Sequence, residues 1–131
     1  ARYQSRAHFL SVAALAMRRI LVSYARKRAA EKRGGDAPIV TFDDDLMPKE
    51  TRAQELLDLD EALSRLEALN ARQAQIVTFR FYAELTYEEI AELVGDTPHA
   101  VRYDWRVARA WLKNELEDGG RERKGEGAQS D

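Results

Sequence analysis

Residues 86–112 read TYEEIAELVGDTPHAVRYDWRVARAWL, and this stretch decides the fold. Thr86, followed three residues later by Glu89, forms a capping box that predicts the start of a helix. Gly95 suits the left-handed position after a helix, Thr97 suits the N-cap of the next helix, and Pro98 suits its first turn. The predicted elements are a short helix over 87–94, a three-residue turn over 95–97 and a longer helix over 98–117.

Two stripes of side chains run along the longer of these helices. The apolar stripe recurs at steps of four, three and four residues, which is the spacing of one helix face. The cationic stripe follows the same steps one residue later, so it lies about 100° around the helix from the apolar one. The apolar stripe is Val101, Trp105, Ala108 and Leu112, and the cationic stripe is Arg102, Arg106, Arg109 and Lys113.

A short helix, a tight turn and a longer helix make a helix-turn-helix unit, whose second helix enters the DNA major groove. An arginine near the start of that helix can pair bidentately with guanine, and cations farther along suit phosphates. Duplex DNA is therefore the predicted ligand. The alternative is that the cations only solubilise the helix and pair with Glu88, Glu92 or Asp104. The predicted contact residues are His99, Arg102, Tyr103, Arg106, Arg109 and Lys113, supported by Thr86, Gly95, Thr97 and Pro98.

The rest of the chain is also predicted to be helical, because glycine and proline are confined to the joints. Helix one is expected over Arg6–Lys32, with Ser5 as its N-cap. Capping boxes at Thr51 and Asn70, with Gln54 and Gln73 as their third residues, open helices two and three. Gly119-Gly120 is expected to end the fifth helix. The predicted core is Leu69, Ile76, Val77, Phe81, Ile90, Leu93, Val101, Trp105 and Leu112 in an all-α bundle.

Charge is strongly segregated along the chain, although the formal net charge is only −2. Residues 1–33 carry nine Lys or Arg and one acid, whereas residues 34–70 carry three bases and ten acids. Such asymmetry predicts surfaces that meet different partners. Residues 34–50, with a triple aspartate, two glycines and two prolines, are interpreted as a flexible acidic linker. A short extended piece over 39–42 is an alternative for part of it.

Composition excludes several classes of site. The chain has no cysteine, which rules out a disulfide scaffold, a zinc finger and an iron–sulfur centre. With only two histidines, His8 and His99, neither a metal nor another cofactor is predicted. The longest nearly apolar run, 9–17, is too short to span a bilayer, so the cytoplasm is the expected location. No enzyme is predicted, because the acids Glu88 and Glu89 suit a helix N-terminus and lack a neighbouring nucleophile.

Several pieces of the C-terminal half follow one known pattern: Arg72-Gln73, Phe79-Arg80-Phe81, Leu85-Thr86-Tyr87-Glu88-Glu89-Ile90-Ala91, Gly95, Pro98 and Val101-Arg102. With them, residues 66–116 resemble region 4 of the bacterial RNA polymerase sigma factors called extracytoplasmic-function (ECF) sigma factors, in the sigma-70 family. The resemblance implies a transcription initiation factor whose region 4 reads the −35 promoter element. It also implies promoter DNA and core RNA polymerase as partners, with an anti-sigma protein as a further candidate.

The basic first segment, SRAHFLSVAALAMRRILVSYARKRAAEKRGG, resembles the last helix of region 2 in the same family, which contacts the −10 element. Family members carry further helices ahead of it, so the apolar run 9–17 is expected to need a packing partner. The expected outcomes are self-association, binding of another chain, or packing on the helical body in a non-native way. The residues that the resemblance suggests for the −10 contact are Phe9, Arg18, Arg19, Tyr24, Arg26 and Lys27.

The expected organisation is a region 2 helix over 1–33, the linker over 34–50, region 4 over 51–118 and a disordered tail over 119–131. Two other classes of protein remain as alternatives. A response-regulator output domain has a similar Glu-Glu-Ile-Ala helix, but it would not explain the basic first helix or the acidic linker. A helical protein-interaction module would use the same stripes for protein partners rather than for DNA.

Overall fold

The computed structural model describes residues 2–34, which form one helix, and residues 49–129, which form four helices joined by short turns. The helices are α1 (Arg2–Gly34), α2 (Lys49–Leu69), α3 (Ala71–Ala83), α4 (Tyr87–Val94) and α5 (Pro98–Gln129). These two described ranges contain no strand, so the predicted all-α class is confirmed. The linker predicted over 34–50 and its extended piece over 39–42 fall mainly outside the described residues.

Helix α3 lies at the centre of the bundle, where it packs against all four other helices. Its backbone begins at an N-cap that the sequence predicted, because the Asn70 side chain accepts from the Gln73 N–H at 3.0 Å. Thr78 is buried, and its hydroxyl donates to the Ala74 carbonyl at 2.9 Å, so burial leaves it satisfied. The largest fully buried side chains of the core are Leu63, Ile76, Val77, Leu85, Ile90 and Val101.

Three predicted helix ends are wrong. Helix α1 begins at Arg2 and α2 at Lys49, so Ser5 and Thr51 lie inside helices instead of capping them. Lysine and glutamate are good helix formers, which lets α2 start two residues before the threonine. Helix α5 continues through Gly119-Gly120 to Gln129, where a disordered tail was predicted. A glycine inside a helix costs about 1 kcal/mol relative to alanine, which discourages helix without forbidding it.

Two predicted core residues are exposed. Leu69 is the last residue of α2 and is 69% exposed, because the chain leaves the bundle there before it turns into α3. Phe81 is 47% exposed and lies over a cleft between α2 and α5, which Leu56 and Leu116 also line. Both errors have one cause: helical spacing identifies a face but not how far along the helix that face is covered.

Over residues 6–31, helix α1 packs on the bundle through one face only. Ala7 and Ala14 are buried there, and the helix contacts α2, α3 and α4. The opposite face leaves Phe9 68% and Ile20 65% exposed. The apolar run 9–17 was expected to need a packing partner, and among the described residues one side of it is covered. The docked face therefore corresponds to one of the three expected outcomes, packing on the helical body.

Two long-range ion pairs hold α1 in this position. The Arg18 Nε atom donates to the Asp60 carboxylate of α2 at 2.7 Å, and its Nη2 atom reaches the Asp60 carbonyl at 3.3 Å. Arg6 pairs with Glu89, which belongs to α4. Since the Arg18 and Asp60 side chains are both mostly covered, their pair is less screened by water than an ordinary surface ion pair.

Candidate nucleic-acid interface

Helices α4 and α5 form the helix-turn-helix unit that the sequence predicted, and its caps are in place. Thr86 accepts from the Glu89 N–H at 3.0 Å, while the Glu89 carboxylate accepts from the Thr86 N–H at 2.8 Å. Gly95 ends α4 with φ of 73°. Thr97 opens α5 by accepting from the Ala100 N–H at 3.1 Å. These bonds fix the turn between the two helices and hence the direction of α5.

The apolar stripe of α5 faces the core, as its spacing predicted. Val101 and Ala108 are fully buried, Leu112 is buried, and Trp105 is half-buried. Because the cationic stripe is about 100° around the helix from this face, burial of one stripe forces the other outward. The fold therefore supplies a rigid helix that presents its basic side to solvent.

All six predicted DNA-contact residues of α5 are exposed: His99, Arg102, Tyr103, Arg106, Arg109 and Lys113. In the part of the chain that the structure describes, no ion pair joins the cationic stripe to Glu88, Glu92 or Asp104. The pairing that the solubilising alternative requires is thus not made. The four charges of the stripe face solvent along about 16 Å of helix.

A charged cluster beside the turn was not foreseen from the sequence. The Arg72 guanidinium of α3 donates from Nη2 to Asp96 at 2.8 Å and from Nε to Asp104 at 3.0 Å. Gln73 donates to the same Asp104 side chain at 3.3 Å instead of returning to Asn70 as a capping box would require. We call the two Arg72 contacts the Arg72 fork. Its partners lie 24 and 32 residues away, a separation that local sequence patterns do not report.

Hydrogen bonding shifts the ionisation of the fork. The Thr97 N–H donates to the Asp96 carboxylate at 2.7 Å, and this bond, followed by the Arg72 bond, lowers the pKa of Asp96. The Asp96 bond likewise raises the pKa of Arg72. Both groups are therefore held in their charged forms at neutral pH, so the fork is an ion pair under ordinary conditions.

Glu89 is the buried acid of the helix-turn-helix unit. Its pKa is lowered first by the bond from the Thr86 N–H and further by the positive charge of Arg6. A depressed pKa in the folded state stabilises the fold above the unfolded-state value, near 4.5 here. That stabilisation is lost as the pH falls through the folded-state pKa.

We expect Glu89→Gln to reduce the free energy of unfolding at pH 7 by about 0.5–2 kcal/mol, because glutamine can still accept from the Thr86 N–H but carries no charge for Arg6 and the helix N-terminus. The difference from the parent should shrink as the pH falls from 7 to 3, because the lowered pKa of Glu89 means that the unfolded chain takes up the proton more readily than the folded one. Urea unfolding at both pH values measures this, with Glu88→Gln as the control from the same turn. An equal loss at pH 7 and pH 3 would contradict the assigned role of the carboxylate.

The residues suggested for the −10 contact divide into two groups. Phe9, Tyr24 and the three cations Arg19, Arg26 and Lys27 are exposed on α1. The sixth residue, Arg18, is instead turned toward α2, where Asp60 holds it. These residues therefore do not form one face, since α1 presents them all around its outer surface and partly toward the bundle.

Neither a metal site nor a membrane span is found in the described ranges. No cluster there brings together three or more of the His, Asp and Glu side chains that could hold a metal ion. None of the helices, over its described residues, has the length and apolar character needed to cross a membrane.

The architecture defines an all-α helix-turn-helix protein with a basic exposed second helix. The family model of the ECF sigma factors matches residues 1–118, and the chain belongs to that family. The match includes α1 as well as the helix-turn-helix unit. No curated protein and no solved structure matches the chain. Membership makes this a regulator of transcription initiation and implies RNA polymerase and promoter DNA as partners.

Proposed function

We propose that the protein directs promoter-specific transcription initiation by RNA polymerase and that α5 reads the −35 element as duplex DNA. The observation that carries this proposal is the cationic stripe on α5. It lies on the second helix of a capped helix-turn-helix unit, and its members are exposed without ion-pair partners among the described residues. Cations left unpaired at the protein surface are available to replace the counterions of DNA phosphates.

The position of each cation along α5 suggests its task. Arg102 lies in the second turn, near the end of the helix that enters the groove first, where base edges are within reach. Lys113 lies three turns farther along, where a side chain meets the sugar–phosphate backbone. His99 and Tyr103 share the outward side of the first turns with Arg102. We therefore assign base reading to the first turns and electrostatic anchoring to the later ones.

Acidic side chains restrict how DNA can approach. The exposed acids Glu88 and Glu92 of α4 repel phosphates, as do Glu61 and Glu67 on α2. A protein with this distribution does not wrap DNA non-specifically, because its basic surface is confined to particular helices. A narrow contact made mainly by α5 agrees with the charges on the neighbouring helices.

We further propose that α1 contacts the −10 element. The exposed aromatics Phe9 and Tyr24 can stack on unpaired bases, and exposed cations such as Arg26 can contact phosphates. Arg18 would join them only after its ion pair with Asp60 opens. Core RNA polymerase and an anti-sigma protein are the proposed protein partners, and the outer apolar face of α1 is the proposed site of any self-association.

Substituting two cations of the stripe separates base reading from phosphate contact. Arg102→Ala should cost about 1–3 kcal/mol of affinity and relax base preference at one position, if it pairs with a guanine. Lys113→Ala should weaken binding to all sequences alike and reduce the slope of log K against log salt by about one. Fluorescence anisotropy with a duplex selected from a random pool by the parent chain, and with its scrambled version, measures both effects.

Glu117→Gln on the same helix is the control, because it changes one exposed charge outside the stripe. Parent-like binding by both alanine variants across the salt titration would show that α5 does not enter the groove. Capture of core RNA polymerase by the immobilised chain distinguishes a sigma factor from a response-regulator output domain. Capture of polymerase without any duplex binding would favour the interaction-module alternative.

A further inference from the structure

The helix-turn-helix unit is held to the bundle asymmetrically. Burial of its apolar stripe decides which side of α5 faces inward, but hydrophobic burial is non-directional and fixes the exact rotation of the helix less sharply than a directed polar contact does. The cationic stripe depends on that rotation, because a roll of α5 moves Arg102 away from the groove. A polar contact with fixed direction is needed to set the angle.

The Arg72 fork is such a contact. Asp104 follows Arg102 by two residues, so it lies about 200° around α5 from it, on the far side of the apolar stripe. The second arm ends on Asp96 in the turn, and Asp96 also accepts from the Thr97 N–H that opens α5. One planar guanidinium thus ties α3 to both the turn and the first turns of α5.

We propose that Arg72 is a positioning residue for DNA recognition, which sets the rotation of α5 through Asp96 and Asp104 and so aims Arg102 at the base edges. This role rests on the proposed function of α5. Arg72 needs no contact with DNA to perform it.

The decisive variant is Asp104→Ala, because two explanations predict opposite changes in its affinity for DNA. If only the net charge of the DNA-binding helix mattered, removal of an acid from α5 would strengthen binding. Under the positioning role it weakens binding roughly tenfold, since α5 loses the contact that fixes its rotation. Arg72→Ala should weaken binding by a similar factor, and the double variant should bind no worse than either single one. The affinity of Arg72→Lys should fall between those of the parent and Arg72→Ala, because one ammonium cannot span both carboxylates as the planar fork does.

Arg65→Ala is the matched control. Arg65 on α2 pairs with Glu115 at 3.0 Å, so this change also removes one positive charge and one long-range ion pair to α5. That pair lies beyond the cationic stripe, and its loss should leave affinity for the selected duplex within about twofold of the parent. Circular dichroism and thermal unfolding establish that all variants keep the helical fold.

A cycle with Arg102→Ala provides the second readout. In the Arg72→Ala background, Arg102→Ala should cost several-fold less affinity than in the parent, although no bond joins the two arginines in the described part of the chain. Tighter or unchanged binding by Asp104→Ala, or additive effects of Arg72→Ala and Arg102→Ala, overturns the positioning role. If the parent selects no duplex, the proposed function of α5 is wrong, and so is the positioning role that rests on it. If the parent binds a duplex and the Arg72 and Asp104 variants bind it equally well, only the positioning role is wrong.

Discussion

Leu63→Ala should reduce the free energy of unfolding by about 2–5 kcal/mol, the cost of a cavity where a leucine was fully buried. Leu63 is completely inaccessible on α2 and belongs to the same core cluster as Ile76 and Val101. Small domains have only about 5–15 kcal/mol of total stability, so this single change removes a large share. Urea unfolding followed by circular dichroism at 222 nm measures the loss as a shift of the midpoint.

The control is the same substitution in the same helix. Leu69→Ala removes an equal number of atoms from a side chain that is 69% exposed, and it should change stability by less than about 0.5 kcal/mol. Both residues belong to a stripe of leucines at positions 56, 59, 63, 66 and 69, which recur at three or four residues along α2. Equal destabilisation by the two variants would mean that α2 buries the stripe along its whole length and would contradict the described packing.

The helices themselves could be predicted because their signals are local. The box of Thr86 and Glu89, the glycine at position 95 and the cap at Thr97 each act over three or four residues, and all three are confirmed. The two predicted caps that failed are Ser5 and Thr51. Each has helix-forming residues on both sides. A capping residue there competes with continuation of the helix, and its type alone does not decide between them.

The features of the site likewise divide into local ones, which could be predicted, and long-range ones, which could not. Exposure of the cationic stripe followed from helix geometry, since it is fixed by the burial of Val101 and Ala108. The Arg72 fork depends on how three separate elements meet, which no spacing within one helix reports. The inward turn of Arg18 onto Asp60 has the same origin. Long-range polar contacts were therefore the part of the site that sequence patterns missed.

The docking of α1 also gives a large expected effect, because it buries an alanine completely against the core. Ala14 is completely buried against the core, whereas Ala16 on the same helix is exposed. Ala14→Glu would bury an unpaired carboxylate at a cost of several kcal/mol, and the helix should leave the bundle rather than accept that cost. Each 1.4 kcal/mol lost from docking raises the detached population about tenfold.

Limited trypsin digestion and amide hydrogen exchange report detachment directly, because residues 1–33 contain nine Lys or Arg. In Ala14→Glu, cleavage and exchange within α1 should accelerate by at least about tenfold. Ala16→Glu adds the same charge to the exposed side and should leave both rates near those of the parent. The helix-turn-helix unit has its own buried residues, such as Ile90 and Val101, so binding to the selected duplex should persist in both variants.

Equal protection of α1 in the two glutamate variants would show that α1 does not dock through Ala14. Loss of duplex binding in Ala14→Glu alone would show that α5 depends on α1 for its position, although the described structure has α1 packed on α2, α3 and α4 only.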